Sequence, residues 1–338
     1  MPLRQIEIVI PKNREEACQT LLSDDSVVHY WQSSSEQSGF MLKVLVDAVD
    51  TEIFLDKVEQ LFSKEEDYRL VMISVDATLP RIEEKPKEVE EKSTIPDRPA
   101  DQPLQGVRVS REELYSDISD AVDLSRIYIA LVMLSTIVAA LGILRDNTAV
   151  VIGAMVIAPL LGPNVGLALS TTLADLDLGI KSLKTNLSGL GVAFFISILM
   201  GFFLDVNEEV YQIISRTEVH LSDISLALAS GAAGVLAYTV GMSTAVIGVM
   251  VAVALLPPLV VSGLLLGDMQ YDLALYSALL LCINVICVNL AGIATFILQG
   301  VRPRTWYDTQ KAKKANKFAL ILWVSTVVIL AGVIYFVL

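Results

Sequence analysis

The sequence contains few of the residues that build disulfide frameworks or metal centres. Three cysteines and two histidines occur among its 338 residues. No two cysteines form a CxxC pair, and neither histidine has a companion at the spacing of metal ligands. Paired cysteines and clustered histidines are the usual signatures of structural disulfides and zinc sites. We therefore expect no metal site and no cofactor.

Catalytic motifs are also missing. The sequence has no GxSxG, P-loop or HExxH motif, and no pair of carboxylates inside an apolar run. Each of these patterns carries a specific chemistry, from nucleophilic attack to zinc-assisted hydrolysis. Their absence predicts a protein that is not an enzyme.

Basic residues are outnumbered in the first third of the chain. Residues 1–123 carry 14 Lys and Arg against 27 Asp and Glu, whereas residues 124–338 carry 11 of each. The phosphates of nucleic acids attract Lys and Arg, so an acidic segment argues against a nucleic-acid partner. The distribution indicates an acidic soluble part followed by a part with balanced charge.

Charge is absent from six long apolar runs, and the mean hydropathy of the chain is +0.58. These runs are 127–144, 147–174, 185–204, 224–267, 273–301 and 318–338. About 20 apolar residues cross a bilayer, so the 44 residues of 224–267 are enough for two spans. The sequence therefore predicts seven α-helical spans in the lipid bilayer of the inner membrane.

No Asp, Glu, Lys or Arg lies well inside any predicted span. An ionisable group at the centre of a span costs about 2.5–3.5 kcal/mol on insertion scales, and it usually marks a proton relay or a charge pair. This absence argues against a carboxylate-based proton pump. It leaves amides, hydroxyls and backbone groups as the polar chemistry of the spans.

The charges of the loops predict the orientation. Cytoplasmic loops carry an excess of Lys and Arg. Lys181 and Lys184 fall in the predicted loop between the second and third spans, and six basic residues between 302 and 317 follow the sixth span. Both loops face the cytoplasm if the acidic N-terminal part does. We therefore expect a cytoplasmic N-terminus and an external C-terminus.

The membrane part contains an internal repeat. Val151–Leu169 and Val246–Leu264 share ten identical residues in nineteen columns at an offset of 95 positions, and both stretches are interrupted by proline. We interpret them as two copies of a broken membrane helix. Each copy has one span before it and one after it, and a unit of three spans reverses direction when it is repeated. The sequence therefore predicts inverted repeats, a common plan of secondary transporters.

Proline in these two stretches indicates candidate pathway residues. Proline removes a backbone donor and frees carbonyl groups, which a bilayer tolerates only where protein or water surrounds them. The candidates for the substrate pathway are Pro159, Gly162, Pro163, Asn164, Thr244, Pro257, Pro258, Asn284 and Asn289, and those for its mouth are Asp146 and Asn147. The alternatives are a kinked helix that packs through glycine, and small polar residues that only join helices.

The N-terminal part predicts a small α+β domain. Period-two apolar patterns and two amphipathic segments, Asn13–Leu22 and Asp50–Phe62, follow the order βαββαβ of a ferredoxin-like fold. The second segment places Ile53, Val58, Leu61 and Phe62 on one helical face. Such domains bind small effectors, assemble homo-oligomers, or serve as packing modules.

The predicted domains follow in chain order. They are a cytoplasmic domain at 1–79, a charged Pro-rich linker at 80–109, an amphipathic pre-membrane helix at 110–123, transmembrane repeats at 124–204 and 223–299, and a final transmembrane helix at 318–338. In the pre-membrane helix, Leu114, Ile118 and Val122 recur at four-residue spacing. This helix either couples the soluble domain to the spans or rests on lipid headgroups.

Two stretches of the membrane part resemble a known family. The segments A-V-V-I-G-A-M-V-I-A-P-L-L-G-P and A-L-L-P-P-L-V-V-S-G, followed by N-V-I-C-V-N-L, are similar to the DUF389 family of bacterial and archaeal membrane proteins. The resemblance covers about residues 120–300. It implies a multi-pass membrane architecture and carries no known catalytic or binding residues.

Two functional hypotheses follow from the sequence. The first is a membrane transporter or channel for a small ion or polar solute, with a cytoplasmic domain that regulates or assembles it. The second is a membrane-anchored protein that senses an effector or forms an assembly, without transport activity. The paired proline-containing stretches favour the first hypothesis.

Overall fold

The structure, a computed structural model, describes residues 3–10, 21–22, 24, 26–35, 39–48, 50–62, 69–75, 78, 109–242, 244–303, 325 and 332. In the stretch 244–253 it describes the backbone alone. Most of the predicted linker and of the predicted final helix lies outside these residues. The chain divides into two compact units, Met1–Glu112 and Glu113–Leu338.

The first unit is built on a four-stranded antiparallel sheet. Its elements are β1 (Leu3–Ile10), β2 (Val27–Ser35), β3 (Gly39–Asp47), helix α1 (Thr51–Phe62) and β4 (Arg69–Val75). The strand order is β2-β3-β1-β4. The predicted strands are therefore confirmed. The predicted helix Asn13–Leu22 lies outside the described residues except at its last two positions, which are helical.

Helix α1 packs on the sheet through a stripe with four-residue spacing. Phe54, Val58 and Phe62 are fully buried, because positions four apart lie on one face of a helix. The predicted apolar face was partly wrong, since Ile53 is 47% exposed and Leu61 is 37% exposed. The buried phenylalanine at position 54 takes the place that the sequence analysis assigned to Ile53.

The second unit is helical. Its helices are α2 (Arg111–Ala121), α3 (Arg126–Leu144), α4 (Thr148–Ile157), α5 (Leu161–Leu173), α6 (Leu176–Phe203), α7 (Tyr211–Thr217), α8 (Leu221–Thr239), α9 (Thr244–Gly267) and α10 (Tyr271–Leu298). In the described part of the chain, α3, α6 and α10 are each long and apolar enough to cross a membrane. The candidate spans number five if each of two bent helix pairs counts as one. The chain is thus a membrane protein by the length and composition of its helices.

The first predicted break is present. Helices α4 and α5 meet at an angle of 53° across the non-helical residues 158–160. Ala158 has the extended ψ of 117°, as expected for a residue that precedes proline. Pro163 lies in the first turn of α5, where a missing N–H group leaves no helical hydrogen bond unmade. Pro159 therefore ends one helix, and Pro163 is compatible with the start of the next.

The second predicted break is wrong. Helix α9 runs for 24 residues with both Pro257 and Pro258 inside it. Proline inside a helix leaves the carbonyl four residues earlier without its donor. For Pro258 this carbonyl is that of Ala254, and it accepts a hydrogen bond from Asn284 in α10.

The loop predicted around Lys181 and Lys184 is also wrong, because both lysines lie in α6. Asp175 caps this helix, since its carboxylate accepts a hydrogen bond from the backbone N–H of Leu178 at 3.0 Å. Helix α6 therefore begins well before the uncharged run that predicted the third span. Its connection to α5 is only Ala174 and Asp175, and Ala174 has the left-handed φ of 57°.

Helix α2 packs on protein through its apolar face. Leu114, Ile118 and Val122 are fully buried. The hydroxyl of Thr185 in α6 donates to the backbone carbonyl of Val122 at 2.7 Å. This packing argues against a helix whose apolar face rests on lipid.

Candidate functional site

Three asparagines from different helices meet beside the broken span. The side-chain oxygen of Asn164 in α5 accepts hydrogen bonds from the amide nitrogen of Asn186 in α6 at 2.9 Å and from that of Asn289 in α10 at 3.1 Å. All three residues are at least 96% buried. We call Asn164, Asn186 and Asn289 the asparagine cluster. It joins the second half of the broken span to two long apolar helices.

Two backbone carbonyls determine how the amides are oriented. The amide nitrogen of Asn164 donates to the carbonyl of Leu160 at 2.9 Å, and that of Asn289 donates to the carbonyl of Val285 at 2.9 Å. Turning either amide over would place two oxygens against each other. The oxygen of Asn164 is therefore the common acceptor, and Asn186 must present its nitrogen to it.

This arrangement leaves acceptor oxygens without donors. The Oδ1 atoms of Asn186 and Asn289 are buried and have no hydrogen-bond partner among the described residues. The same is true of the Oγ atom of Ser182, one turn before Asn186 on α6. A buried polar group without a partner costs about 1–3 kcal/mol. Three of the buried oxygens that lack a partner among the described residues therefore belong to the asparagine cluster or lie one turn from it.

The asparagine cluster lies inside α6 and α10 rather than at the ends of these helices. Counted along α6 and α10, Asn186 and Asn289 are about 14 Å from the nearer ends of their helices, at 1.5 Å per residue. The hydrocarbon core of a bilayer is about 30 Å thick. These helix ends are therefore about half of that thickness away from the cluster.

Helix α2 closes the start of α5. A Cβ atom at Gly162 would lie 2.7 Å from the carbonyl oxygen of Ala121, so only glycine permits this approach. The hydroxyl of Tyr115 donates to the carboxylate of Asp175 at 2.8 Å, and the ammonium of Lys181 pairs with Asp123 at 2.6 Å. Burial and the bond to Asp175 raise the pKa of Tyr115, which keeps its hydroxyl a donor at neutral pH.

Asn284 contacts α9 rather than the asparagine cluster. Its amide nitrogen donates to the carbonyl of Ala254 at 2.7 Å, which is the carbonyl that Pro258 cannot bond. The hydroxyl of Ser277 also donates to the carbonyl of Pro258 at 2.8 Å. Helix α10 therefore supplies the donor that α9 lacks at the carbonyl of Ala254, which supports the continuation of α9 through Pro258.

This compensation predicts a coupling between Asn284 and Pro258. We expect Asn284→Leu to destabilise the protein, and to do so by about 0.5–2 kcal/mol less in a Pro258→Ala background, where the new N–H group bonds Ala254. Thermal unfolding of the purified protein in detergent measures the cycle. Pro257→Ala is the matched control, because its missing bond involves residue 253 and should leave the cost of Asn284→Leu unchanged. If Asn284→Leu destabilised the wild type, Pro258→Ala and Pro257→Ala equally, Asn284 would not be the donor that replaces the bond lost at Pro258.

The two mouth candidates lie at the turn between α3 and α4. The side chain of Asn147 caps α4 by accepting from the backbone N–H of Val150 at 3.2 Å. The carboxylate of Asp146, whose φ is 49°, accepts from the backbone N–H of Gln212 at 3.3 Å. Both residues therefore stabilise the end of the bundle opposite α2. Thr244 begins α9, and its side chain lies outside the described part of the chain.

Of the predicted pathway residues, the structure brings together Asn164 and Asn289 directly, with Pro159, Gly162 and Pro163 in the adjoining break. The prolines of α9 lie apart from the cluster, against Asn284 and Ser277. The sequence analysis missed Asn186 and Ser182. Their signal is a four-residue spacing on α6, which is visible only once α6 is known to start at Leu176.

Long apolar helices, one broken span and a buried polar cluster define a multi-pass α-helical membrane protein with a small antiparallel sheet at its N-terminus. The chain belongs to the DUF389 family. The family model, described as a domain of unknown function, matches residues 155–290. An uncharacterized protein of the archaeon Methanocaldococcus jannaschii is 36% identical over 326 residues, which is 96% of each chain. No solved structure matches the chain.

Proposed function

We propose that the protein is a membrane transporter or channel for a small ion or polar solute. The observation that carries this proposal is the asparagine cluster beside the α4–α5 break. Backbone and side-chain polar groups without partners are costly in a bilayer, and they persist where a passing solute or water makes use of them. A packing role alone would be served by fully bonded side chains.

The pairing of helices supports an inverted-repeat architecture. On this proposal α3, α4–α5 and α6 form one repeat, and α8, α9 and α10 form the other. The three members of each repeat pack against one another, α5 packs against α10, and α9 packs against α6. Interchanging the two repeats converts the α5–α10 contact into the α9–α6 contact, as a two-fold relation requires. This plan also retains the cytoplasmic N-terminus.

We propose that the first unit is a ferredoxin-like domain that regulates or assembles the membrane unit. The strand order β2-β3-β1-β4, with every neighbouring pair antiparallel, supports this fold. Its proposed partners are a small effector or further copies of the chain. Helix α2 is the proposed mechanical connection, because it follows this unit and packs on Gly162 at the break.

Solute flux in proteoliposomes tests the proposal. We expect purified full-length protein to conduct at least one small solute, and Pro159→Ala/Pro163→Ala to abolish most of that flux by restoring a straight span. The matched control is Pro257→Ala/Pro258→Ala, which removes two prolines from a helix that is already continuous and should retain flux. Flux that survives in the first variant would contradict the pathway. No flux of any solute would favour the alternative of a membrane-anchored sensor.

A further inference from the structure

We infer that the asparagine cluster is a binding site for a small, desolvated monovalent cation, and that this cation is the solute carried. The inference rests on the proposed transport function and names its substrate class. The ligands would be the side-chain oxygens of Asn186 and Asn289, together with the hydroxyl of Ser182, one turn before Asn186 on α6. All three oxygens are buried and have no partner among the described residues.

The chemistry of the unpartnered atoms selects for positive charge. Every amide nitrogen of the cluster already donates: Asn164 to Leu160, Asn186 to Asn164, and Asn289 to both Asn164 and Val285. The cluster atoms without any partner among the described residues are oxygens, which accept hydrogen bonds or coordinate cations, whereas the amide nitrogens of Asn164 and Asn186 each donate to one acceptor. The lone pairs of these oxygens would repel an anion, whereas they would coordinate a cation.

The absence of carboxylates from the cluster indicates that the bound ion carries a single positive charge. Calcium and magnesium sites rely on Asp and Glu, because these side chains offset the charge of a divalent ion. The cluster is neutral, and the described residues contain no group of three or more His, Cys, Asp or Glu that could hold a metal ion. Neutral amide and hydroxyl oxygens suit a singly charged ion, whose dehydration costs less.

The acidic end of the membrane unit favours cations. The segments that join α3 to α4, α6 to α8 and α9 to α10, with the first turns of α8 and α10, contain eight carboxylates: Asp146, Asp205, Glu208, Glu209, Glu218, Asp223, Asp268 and Asp272. Only two arginines, Arg145 and Arg216, lie in these same segments. Asp205 and Asp268 line a cleft of about 380 Å³ there. Such an end concentrates cations and repels anions.

The N-terminus of α5 lies near the cluster, and the partial positive charge of a helix N-terminus would disfavour a cation there. The carbonyl of Ala121 lies against Gly162 in the first turn of α5. The C-terminal, partly negative end of α2 thus meets the partly positive end of α5. This contact reduces the positive potential near the cluster.

Access to the cluster requires movement. The unpartnered oxygens have almost no solvent-accessible surface, so an ion reaches them only when α5 separates from α6 or α10. The hydrogen bonds from Asn186 and Asn289 to Asn164 oppose that separation. The same amides that hold the site closed would turn their oxygens to the ion when it opens.

Two measurements on the full-length protein test the inference. In proteoliposomes we compare flux of Na⁺, K⁺ and Li⁺ with that of chloride, nitrate and urea. In detergent we compare thermal unfolding in the chlorides of Na⁺, K⁺ and Li⁺ with choline chloride at equal ionic strength. In the wild type we expect cation flux and a cation-specific rise in Tm. In Asn186→Leu we expect cation flux to fall about tenfold or more, equivalent to about 1.4 kcal/mol, and the cation-specific rise in Tm to be lost.

Two further variants keep the result interpretable. Asn186→Asp preserves the shape of the side chain and adds charge, so it should strengthen cation binding and admit Ca²⁺ even if Asn186→Leu folds poorly. Asn207→Leu, an exposed asparagine in the loop after α6, should behave as wild type. Restored cation-specific stabilisation in Asn186→Asp, with none in a folded Asn186→Leu, supports the site.

The outcomes separate this inference from the proposed function. Flux of chloride, nitrate or urea without cation flux overturns the cation site and leaves transport standing. A cation-specific rise in Tm that Asn186→Leu abolishes, without flux of any solute, supports the site and overturns transport. If the protein shows neither flux nor a cation-specific rise in Tm, both proposals fail.

Discussion

Replacing Asn164 by leucine should destabilise the membrane unit more than replacing all three asparagines of the cluster by leucine. In the single variant, the side chain of Asn186 loses the one hydrogen bond that it makes within the described part of the chain, and that of Asn289 loses one of two. Each buried group left without a partner costs about 1–3 kcal/mol, whereas removing all partners together approaches neutrality. Flux should be lost in both variants, because both lack the polar groups of the proposed site.

Denaturant or thermal unfolding in detergent measures the stability ranking, and proteoliposome flux measures the activity. The exposed Asn207→Leu serves as the control for introducing leucine. If the cluster only joins helices, the triple variant should be the least stable of the series and should still conduct. That result would remove the asparagines from the pathway.

Adding a single methyl group at Gly201 should strongly destabilise the protein. A Cβ atom there would lie 2.1 Å from the carbonyl oxygen of Leu264, and one at Gly267 would lie 2.3 Å from that of Ile198. Backbone contacts between α6 and α9 cannot yield as a flexible side chain can. We therefore expect Gly201→Ala to cost about 3 kcal/mol or more, at the upper end of the range for overpacking.

The matched control lies on the same helix. A Cβ atom at Gly191 meets nothing within 4 Å, so Gly191→Ala should be neutral or should stabilise by up to about 1 kcal/mol through helix propensity. Thermal unfolding of both variants in detergent compares the two. Equal shifts in Tm would contradict the close packing of α6 on α9.

Hydropathy and apolar periodicity predicted much of the architecture. Uncharged runs locate the long apolar helices of the second unit, and period-two alternation locates the four strands of the first, because both patterns report burial directly. The first break was also predictable. Pro159 ends α4 through a local clash with the preceding residue, and local rules are what a sequence displays.

The second break was not predictable, because its outcome depends on another helix. Pro258 breaks the same local rule as Pro159, but Asn284 donates to the carbonyl that Pro258 leaves free. Asn284 lies 26 positions further along the chain, and nothing in the proline-containing stretch indicates this donor. A tertiary hydrogen bond therefore overrides a local preference.

Asn186 was missed for a related reason. The uncharged run that predicted the third span begins at residue 185, which placed Asn186 at a helix end rather than inside α6. Lys181 and Lys184 lie inside α6 because the acidic cap Asp175 and the partner Asp123 stabilise that part of the helix. The length of an uncharged run therefore underestimates the length of a helix whose first turns carry polar and charged residues.

The bond from Asn284 to Ala254 also bears on how the chain is made. A single helix α9 entering a bilayer alone would carry an unbonded carbonyl into hydrocarbon, at a cost of several kcal/mol. The connection from α9 to α10 is only three residues, Asp268 to Gln270, with Met269 at a left-handed φ of 64°. We therefore expect these two helices to leave the translocation machinery as a hairpin, and nascent chains that stop before residue 284 to integrate poorly.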